Sequence, residues 1–148
     1  EFSGWTIWPV GEACSVQRAA FVAEARLYGD PALPPLLETP AQIASSLVTS
    51  TGFVAVLGGR IVGAVRVRAD GDRLHVARLV VAPDLQGRGI GAALLALAET
   101  AAPAAEAVLF TGHLSTGNLR LYERAGYVED HRTRVDDGLT LVHLRKPL

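Results

Sequence analysis

Between Gly11 and Tyr28, apolar residues recur at three- and four-residue spacing (Val16, Ala19, Ala20, Ala23 and Leu27), which predicts an amphipathic helix. The stretch before it, Trp5 to Val10, predicts a short first strand. Gly29-Asp30-Pro31 and then Pro34-Pro35 end the helix in a proline-rich loop. Thr39 is placed to cap a second helix that starts at Pro40 and runs to about Thr49. Phe53 to Leu57 and Arg60 to Arg68 predict two strands, joined by Gly58-Gly59, a two-residue turn in which both glycines can take positive φ. Asp70-Gly71-Asp72 makes the next turn and leads into a strand from Leu74 to Val81. A helix from Gly89 to about Ala101 stops before Pro103, and Ala107 to Thr111 predicts a buried strand. Thr116 to Arg124 predicts a helix closed by Gly126. Tyr127 to Val135 and Leu139 to Arg145 pair as a terminal hairpin around Asp136-Asp137-Gly138. This order predicts an α/β fold, a mixed central sheet of about seven strands flanked by about four helices on its two faces.

The chemistry of the chain concentrates in Gln86-Gly87-Arg88-Gly89-Ile90-Gly91, between a predicted strand and a predicted helix. Three glycines in five positions allow a tight turn with successive N–H groups aimed at one spot, and the helix adds unpaired N–H groups and its positive dipole end. Such a loop suits an anion, above all a phosphate or pyrophosphate. Gly87-x-Gly89-x-x-Ala92 also satisfies the relaxed dinucleotide pattern, with Glu106 about twenty residues on. The context disagrees, because Ala82-Pro83-Asp84-Leu85-Gln86 separates the glycines from their strand and Glu106 precedes the next apolar run instead of closing it. A Walker loop is excluded, since no Gly-Lys-Ser/Thr follows the glycines.

The run Val81-Ala82-Pro83-Asp84-Leu85-Gln86-Gly87-Arg88-Gly89-Ile90-Gly91 resembles the signature of the GNAT family of N-acetyltransferases, Gln/Arg-x-x-Gly-x-Gly/Ala after a strand ending in Val-x-Pro. A second block, Asn118 to Tyr127, is similar to that family's arrangement of Asn, Tyr and Gly-aromatic. The two blocks occur in order, and the resemblance covers roughly residues 52 to 148. It implies an acyl-CoA-dependent N-acyltransferase that moves an acetyl group from acetyl-CoA to an amine within a ternary complex. In that reading Gln86, Gly87, Arg88, Gly89, Ile90 and Gly91 hold the pyrophosphate of coenzyme A. The resemblance also places the pantetheine arm along the backbone of Leu79, Val80 and Val81, with the Val81 N–H donating to the thioester carbonyl. Tyr122 takes the position of the general acid that protonates the departing thiolate, and Asn118 contacts the pantetheine arm or an ordered water.

The bland readings stand beside these. Tyr122 also reads as a core aromatic on an amphipathic helix, Asn118 as a helix-capping residue, and Arg88 as a solvated side chain. For the general base, His75 shares a predicted strand face with Ala77, Leu79 and Val81 and has a suitable ordinary pKa. A lone strand histidine is often structural, so His113 and a water relay are the alternatives. Glu24, Asp30 and Glu38 fall in the region that the resemblance gives to the acyl acceptor, and they read equally as solubilising surface. Cys14 reads as a small buried hydrophobe, and His131 and His143 as structural residues of the terminal hairpin.

Length and composition narrow the picture. The 148 residues predict one domain spanning 1–148, and a 49% hydrophobic content supports a real core. A net charge of −1, with Lys and Arg dispersed, argues against a nucleic-acid partner. The longest apolar run, Ile90 to Ala98, is too short to cross a bilayer. No basic segment followed by an apolar one opens the chain, and one cysteine cannot close an internal disulfide, so a cytoplasmic location is expected. No His/Cys/Asp cluster has metal-ligand spacing, so no metal is expected. The expected partners are a small-molecule or peptide amine and, for the assembly, either a monomer or a homodimer. A non-catalytic acyl-CoA-binding sensor or partner subunit of the same fold is the alternative function, and a nucleotide-dependent oxidoreductase the more distant one.

Overall fold

Gly58 and Gly59 both take positive φ, 58° and 76°, and turn β2 (Thr51–Leu57) back onto β3 (Arg60–Asp70), as a two-glycine hairpin requires. In the computed structural model, which describes residues 2–4 and 10–148, these strands belong to a seven-stranded sheet. The other strands are β1 (Phe2–Gly4), β4 (Arg73–Val81), β5 (Glu106–Gly112), β6 (Val128–Arg134) and β7 (Thr140–Pro147). They lie in the order β1-β2-β3-β4-β5-β7-β6, and every neighbouring pair is antiparallel except β4 and β5. The expected mixed sheet is therefore present. The strand expected at Trp5–Val10 lies outside the described residues except for Val10, which opens a helix instead.

Among the described residues five α-helices accompany the sheet: α1 (Val10–Tyr28), α2 (Pro34–Leu37), α3 (Pro40–Ser46), α4 (Ile90–Ala98) and α5 (Thr116–Arg124), with one 3-10 turn at Pro83–Leu85. The expected proline-rich loop holds α2, a single turn in which Pro34 supplies a ready-made helical φ at the first position. At α3 the Thr39 side chain accepts from the Gln42 N–H while the Gln42 side chain accepts from the Thr39 N–H, so both orphan donors are satisfied. That helix ends at Ser46, short of the expected Thr49, and tight turns follow it.

The two faces of the sheet are told apart on β3. A Cβ on Gly63 would lie 2.9 Å from Leu94 of α4, so Gly63 and its partner Val81 face α4. Three residues on, Arg66 points to the opposite face and reaches Glu38 and Ser46, beside α3. Between these layers Val65, Val67, Leu74, Leu94, Leu95 and Ala107 are almost wholly buried. Gly91, in the first turn of α4, faces Leu121 of α5, whose side chain would sit 3.3 Å from an added Cβ.

Candidate active site

Two irregularities in β4 shape the site. β4 pairs with β5 only through Arg73, Leu74 and His75, opposite Glu106, Ala107 and Val108, and beyond His75 the two parallel strands part. On its other side β4 carries a bulge, since its register against β3 shifts between Val80 and Ala77, and within it Arg78 takes φ 55°. A non-glycine residue there costs on the order of 1–3 kcal/mol and persists only where its surroundings hold it.

The bulge overturns one expectation. His75, Ala77, Leu79 and Val81 do not share a face: His75 and Ala77 lie opposite Arg68 and Arg66 on the α3 face, whereas Val81 lies opposite Gly63 on the α4 face. An extra residue in a strand reverses the alternation that follows it.

Where the strands part, a cleft of about 670 Å³ opens. Leu79, Val80 and Val81 form one lip, α1 contributes Phe21 and Glu24, and Gln86, Gly87, Gly89, Ile90 and Gly91 form one end. Asn118 and Leu121 of α5 line the far wall. The Ala82 N–H is spent on the Val62 carbonyl across β3, so by the alternation of strand groups the Val81 N–H turns toward the gap. The Val81 carbonyl, on that same side, accepts from Gln86 Nε2 at 3.3 Å. At the glycine end, Gly87 and Gly89 take φ 79° and 83°, a Cβ on either would meet open space, and Gly89 is the N-cap of α4. The first helical bond runs from the Ala93 N–H to the Gly89 carbonyl, leaving the N–H groups of Ile90, Gly91 and Ala92 without helical partners. The helix expected from Gly89 therefore begins one residue later, with Gly89 turning the chain into it. Arg88 is exposed.

Glu24 is the one carboxylate among the described residues lining this cleft. It accepts from the Ser115 hydroxyl, which in turn accepts from Tyr28 at 2.8 Å, and the Tyr28 oxygen accepts the Leu114 N–H at 2.9 Å. The chain of donors fixes the direction of every proton in it, because Ser115 has only one to give. Tyr122 is 6% exposed and packs edge-on against Tyr127, with ring centroids 6.1 Å apart. Its hydroxyl has no hydrogen-bond partner among the described residues. Burial, and second the negative charge of Glu24, push the Tyr122 phenol well above its ordinary value, so it holds its proton. Asn118, one turn before Tyr122, lies within 3.4 Å of the Thr111 hydroxyl.

A second cleft, of about 630 Å³, lies on the α3 face; Arg78 of the bulge lines it, and the next residue, Leu79, lines the first. His75 belongs to this second cleft, with Nε2 buried and unbonded, 3.5 Å from Asp70. At about 3.3 Å per residue, His75 is some 13 Å up the strand from Leu79, too far to act directly on a group bonded there. His113 is also committed elsewhere: its Nδ1 accepts the Thr140 N–H at 3.0 Å, tying the end of β5 to β7. Glu38 is neither loose surface nor open to an acceptor. It takes two bonds from Arg66 and one from Gln17. Cys14 is buried, as expected. Stacked 4.1 Å apart, the His131 and His143 rings sit on the terminal hairpin.

A family model of the acetyltransferase (GNAT) domain matches residues 39–148. The chain belongs to the GNAT acetyltransferase family. The UPF0157 protein YqkA of Bacillus subtilis is 29% identical over 131 residues, which are 88% of this chain and 38% of that protein. The GNAT chain thus spans well under half the length of that relative. The ribosomal-protein-S18-alanine N-acetyltransferase of Escherichia coli superposes with a TM-score of 0.80 at 20% identity, over 99% of this chain and 92% of that one. The PaiA N-acetyltransferase of Thermoplasma acidophilum, solved in complex with coenzyme A, gives 0.80 at 15% identity over 100% and 98%. These structures share the GNAT fold. Among the described residues no cluster of His, Cys, Asp and Glu could hold a metal ion, and no helix is long and apolar enough to cross a membrane.

Proposed function

We propose that this GNAT chain transfers an acetyl group from acetyl-CoA directly to an amine, with coenzyme A held in the first cleft. The observation that carries this reading is the parting of β4 from β5 beside the glycine turn. It leaves strand N–H groups free along one lip and helix N–H groups free at the end, the donors that an amide-bearing arm tipped by a pyrophosphate needs. The Val81 N–H is the proposed donor to the thioester carbonyl, where negative charge develops as the amine attacks.

Two side chains take the proton work in this proposal. Glu24 takes the amine proton, directly or through a water, and replaces His75 as the candidate base on grounds of position. Tyr122 donates to the departing thiolate. The two roles help each other: once Glu24 is protonated its charge is gone, and one of the two causes that hold the Tyr122 phenol high is gone with it. An amine panel with acetyl-CoA, followed by thiol release, tests the reading alongside calorimetry of acetyl-CoA binding. Binding with turnover supports a transferase, and binding without turnover toward any amine identifies a sensor. Absence of binding overturns the proposal.

A further inference from the structure

The second cleft carries a charge imbalance that its own ion pairs do not remove. Arg66 is held by Glu38, Arg73 by Glu106 at 2.7 Å, Arg145 faces Asp130 at 3.6 Å, and Arg68 faces Asp70 at 3.8 Å. Arg78 has only a share of Glu38. Its Nε lies 3.6 Å from Glu38 Oε1, within ion-pair reach but too long for a hydrogen bond, and that oxygen already accepts from Arg66 and Gln17. Arg78 Nε is sealed from water without a partner, and the side chain as a whole is only 26% exposed. Burial and the neighbouring Arg66 charge lower its pKa, and Glu38 offsets them only in part. A half-buried guanidinium with unused donors, held on a strained backbone one residue from the strand segment that lines the first cleft, is a costly arrangement unless an anion completes it.

We infer that Arg78 binds an anionic group, a carboxylate or a phosphate, carried by the acyl acceptor, so that the substrate class is an amine bearing a negative charge rather than a polyamine or a simple cationic amine. The inference rests on the transferase reading above. Its geometry is direct: Arg78 faces the second cleft while Leu79, the next residue, lines the first. An acceptor entering through the second cleft and held by its anion on Arg78 presents its nitrogen toward the lip of the first. The planar fork of a guanidinium matches either anion with two parallel bonds. Among the described residues the one carboxylate within 4 Å of Arg78 is Glu38, which Arg66 neutralises, and the other two carboxylates of the cleft, Glu106 and Asp130, face Arg73 and Arg145.

The experiment compares α-amino acids, the matching amino-acid amides and O-phosphoethanolamine as acceptors, in the wild type and in Arg78→Gln and Arg78→Lys. Both variants keep a Cβ and therefore the same backbone demand. Arg78→Gln is expected to raise KM for the anionic acceptors by about 10- to 100-fold, the cost of a charge-assisted bond, with the amides and the acetyl-CoA affinity unchanged. Arg78→Lys is expected to recover part of the loss, and the amino-acid and phosphate arms identify which anion is preferred. In parallel, ¹⁵N spectra of the arginine Nε–H groups are followed as each anionic amine is added. The signal that Arg78→Lys removes should shift. Amides used as well as acids, or a KM untouched by Arg78→Gln, overturns the inference while the transferase reading stands. Loss of acetyl-CoA binding in the wild type overturns the transferase reading itself. Should no amine in the panel be acetylated, an Arg78 Nε–H signal that none of the anions moves overturns the inference.

Discussion

Gly112 has no Cβ, and the Tyr28 hydroxyl occupies the place where one would be, 2.0 Å from that position. The glycine is therefore what lets Tyr28 reach across from α1 and orient Ser115 against Glu24. Gly112→Ala must push the tyrosine out, and the Leu114 N–H then loses its acceptor. The expected cost is on the order of 1–3 kcal/mol, read in urea melts. A variant as stable as the wild type would show that Tyr28 has another place to sit.

Tyr122→Phe keeps the ring and its edge contact with Tyr127 and removes a hydroxyl that has no hydrogen-bond partner among the described residues. Stability should hold, while kcat falls by about 10²-fold, the usual range for a lost general acid. An aryl thioester donor, whose thiolate leaves without help, should lose less. Wild-type turnover in the Phe variant sinks the assignment.

Glu24 and His75 are separated by substitution. If Glu24 takes the amine proton, Glu24→Gln loses most of its turnover while acetyl-CoA still binds in calorimetry. His75→Ala should keep its turnover, because its ring opens into the other cleft. The reverse pattern would return the base to His75, acting through a chain of waters.

Gly89→Ala probes the turn without a clash, since a Cβ there meets nothing within 4 Å. The penalty comes from φ 83° and amounts to about 1–2 kcal/mol. The protein should fold, with acetyl-CoA binding weakened in calorimetry as the free N–H groups are re-aimed. Unchanged affinity would take the turn out of the binding site.

Glu38 makes stability depend on pH. Burial pushes its pKa up, but the bonds from Arg66 and Gln17 and the two guanidinium charges outweigh this, and the group titrates below its ordinary 4.5. A depressed carboxylate stabilises fully above its unfolded value, and that contribution is lost as pH falls through the folded value. Stability should therefore decline below about pH 4.5 in the wild type, and this part of the decline should vanish in Glu38→Gln. Removing the carboxylate uncovers Arg66, 7% exposed, at a cost on the order of 3 kcal/mol in denaturant melts.

Local signals made most of the fold legible. Helix α5 lies at the expected Thr116–Arg124, and the Gly58-Gly59 turn follows from the freedom of glycine at positive φ. The glycine run suggests an anion site from sequence because that chemistry would lie in the backbone, and the tight turn itself is present, with Gly87 and Gly89 at positive φ. What stayed hidden depends on register and on distant partners. Nothing in the strand pattern from Leu74 to Val81 marks Arg78 as a bulge, since arginine has no preference for that conformation, and the faces assigned to His75 and Val81 went wrong with it. Ser115 and Tyr28 are 87 residues apart, and only the folded chain brings them to Glu24. Glu38 looked like surface because its partner Arg66 is 28 residues away, set among the apolar residues Ile61 to Val67 of β3.

Three residue pairs stitch β4 to β5, and past His75 the seam is open. The sheet is in effect two rafts, β1 to β4 on one side and β5, β7 and β6 on the other, joined at one end and spread at the other. The amides of Leu79 and Val81 face the spread, so deuterium should reach them as if they lay on an outer edge. A ligand bonded along that lip does what a neighbouring strand does elsewhere. It closes the ladder and ties the rafts together, so occupancy should be readable as slowed exchange at those two amides and stiffening across the seam.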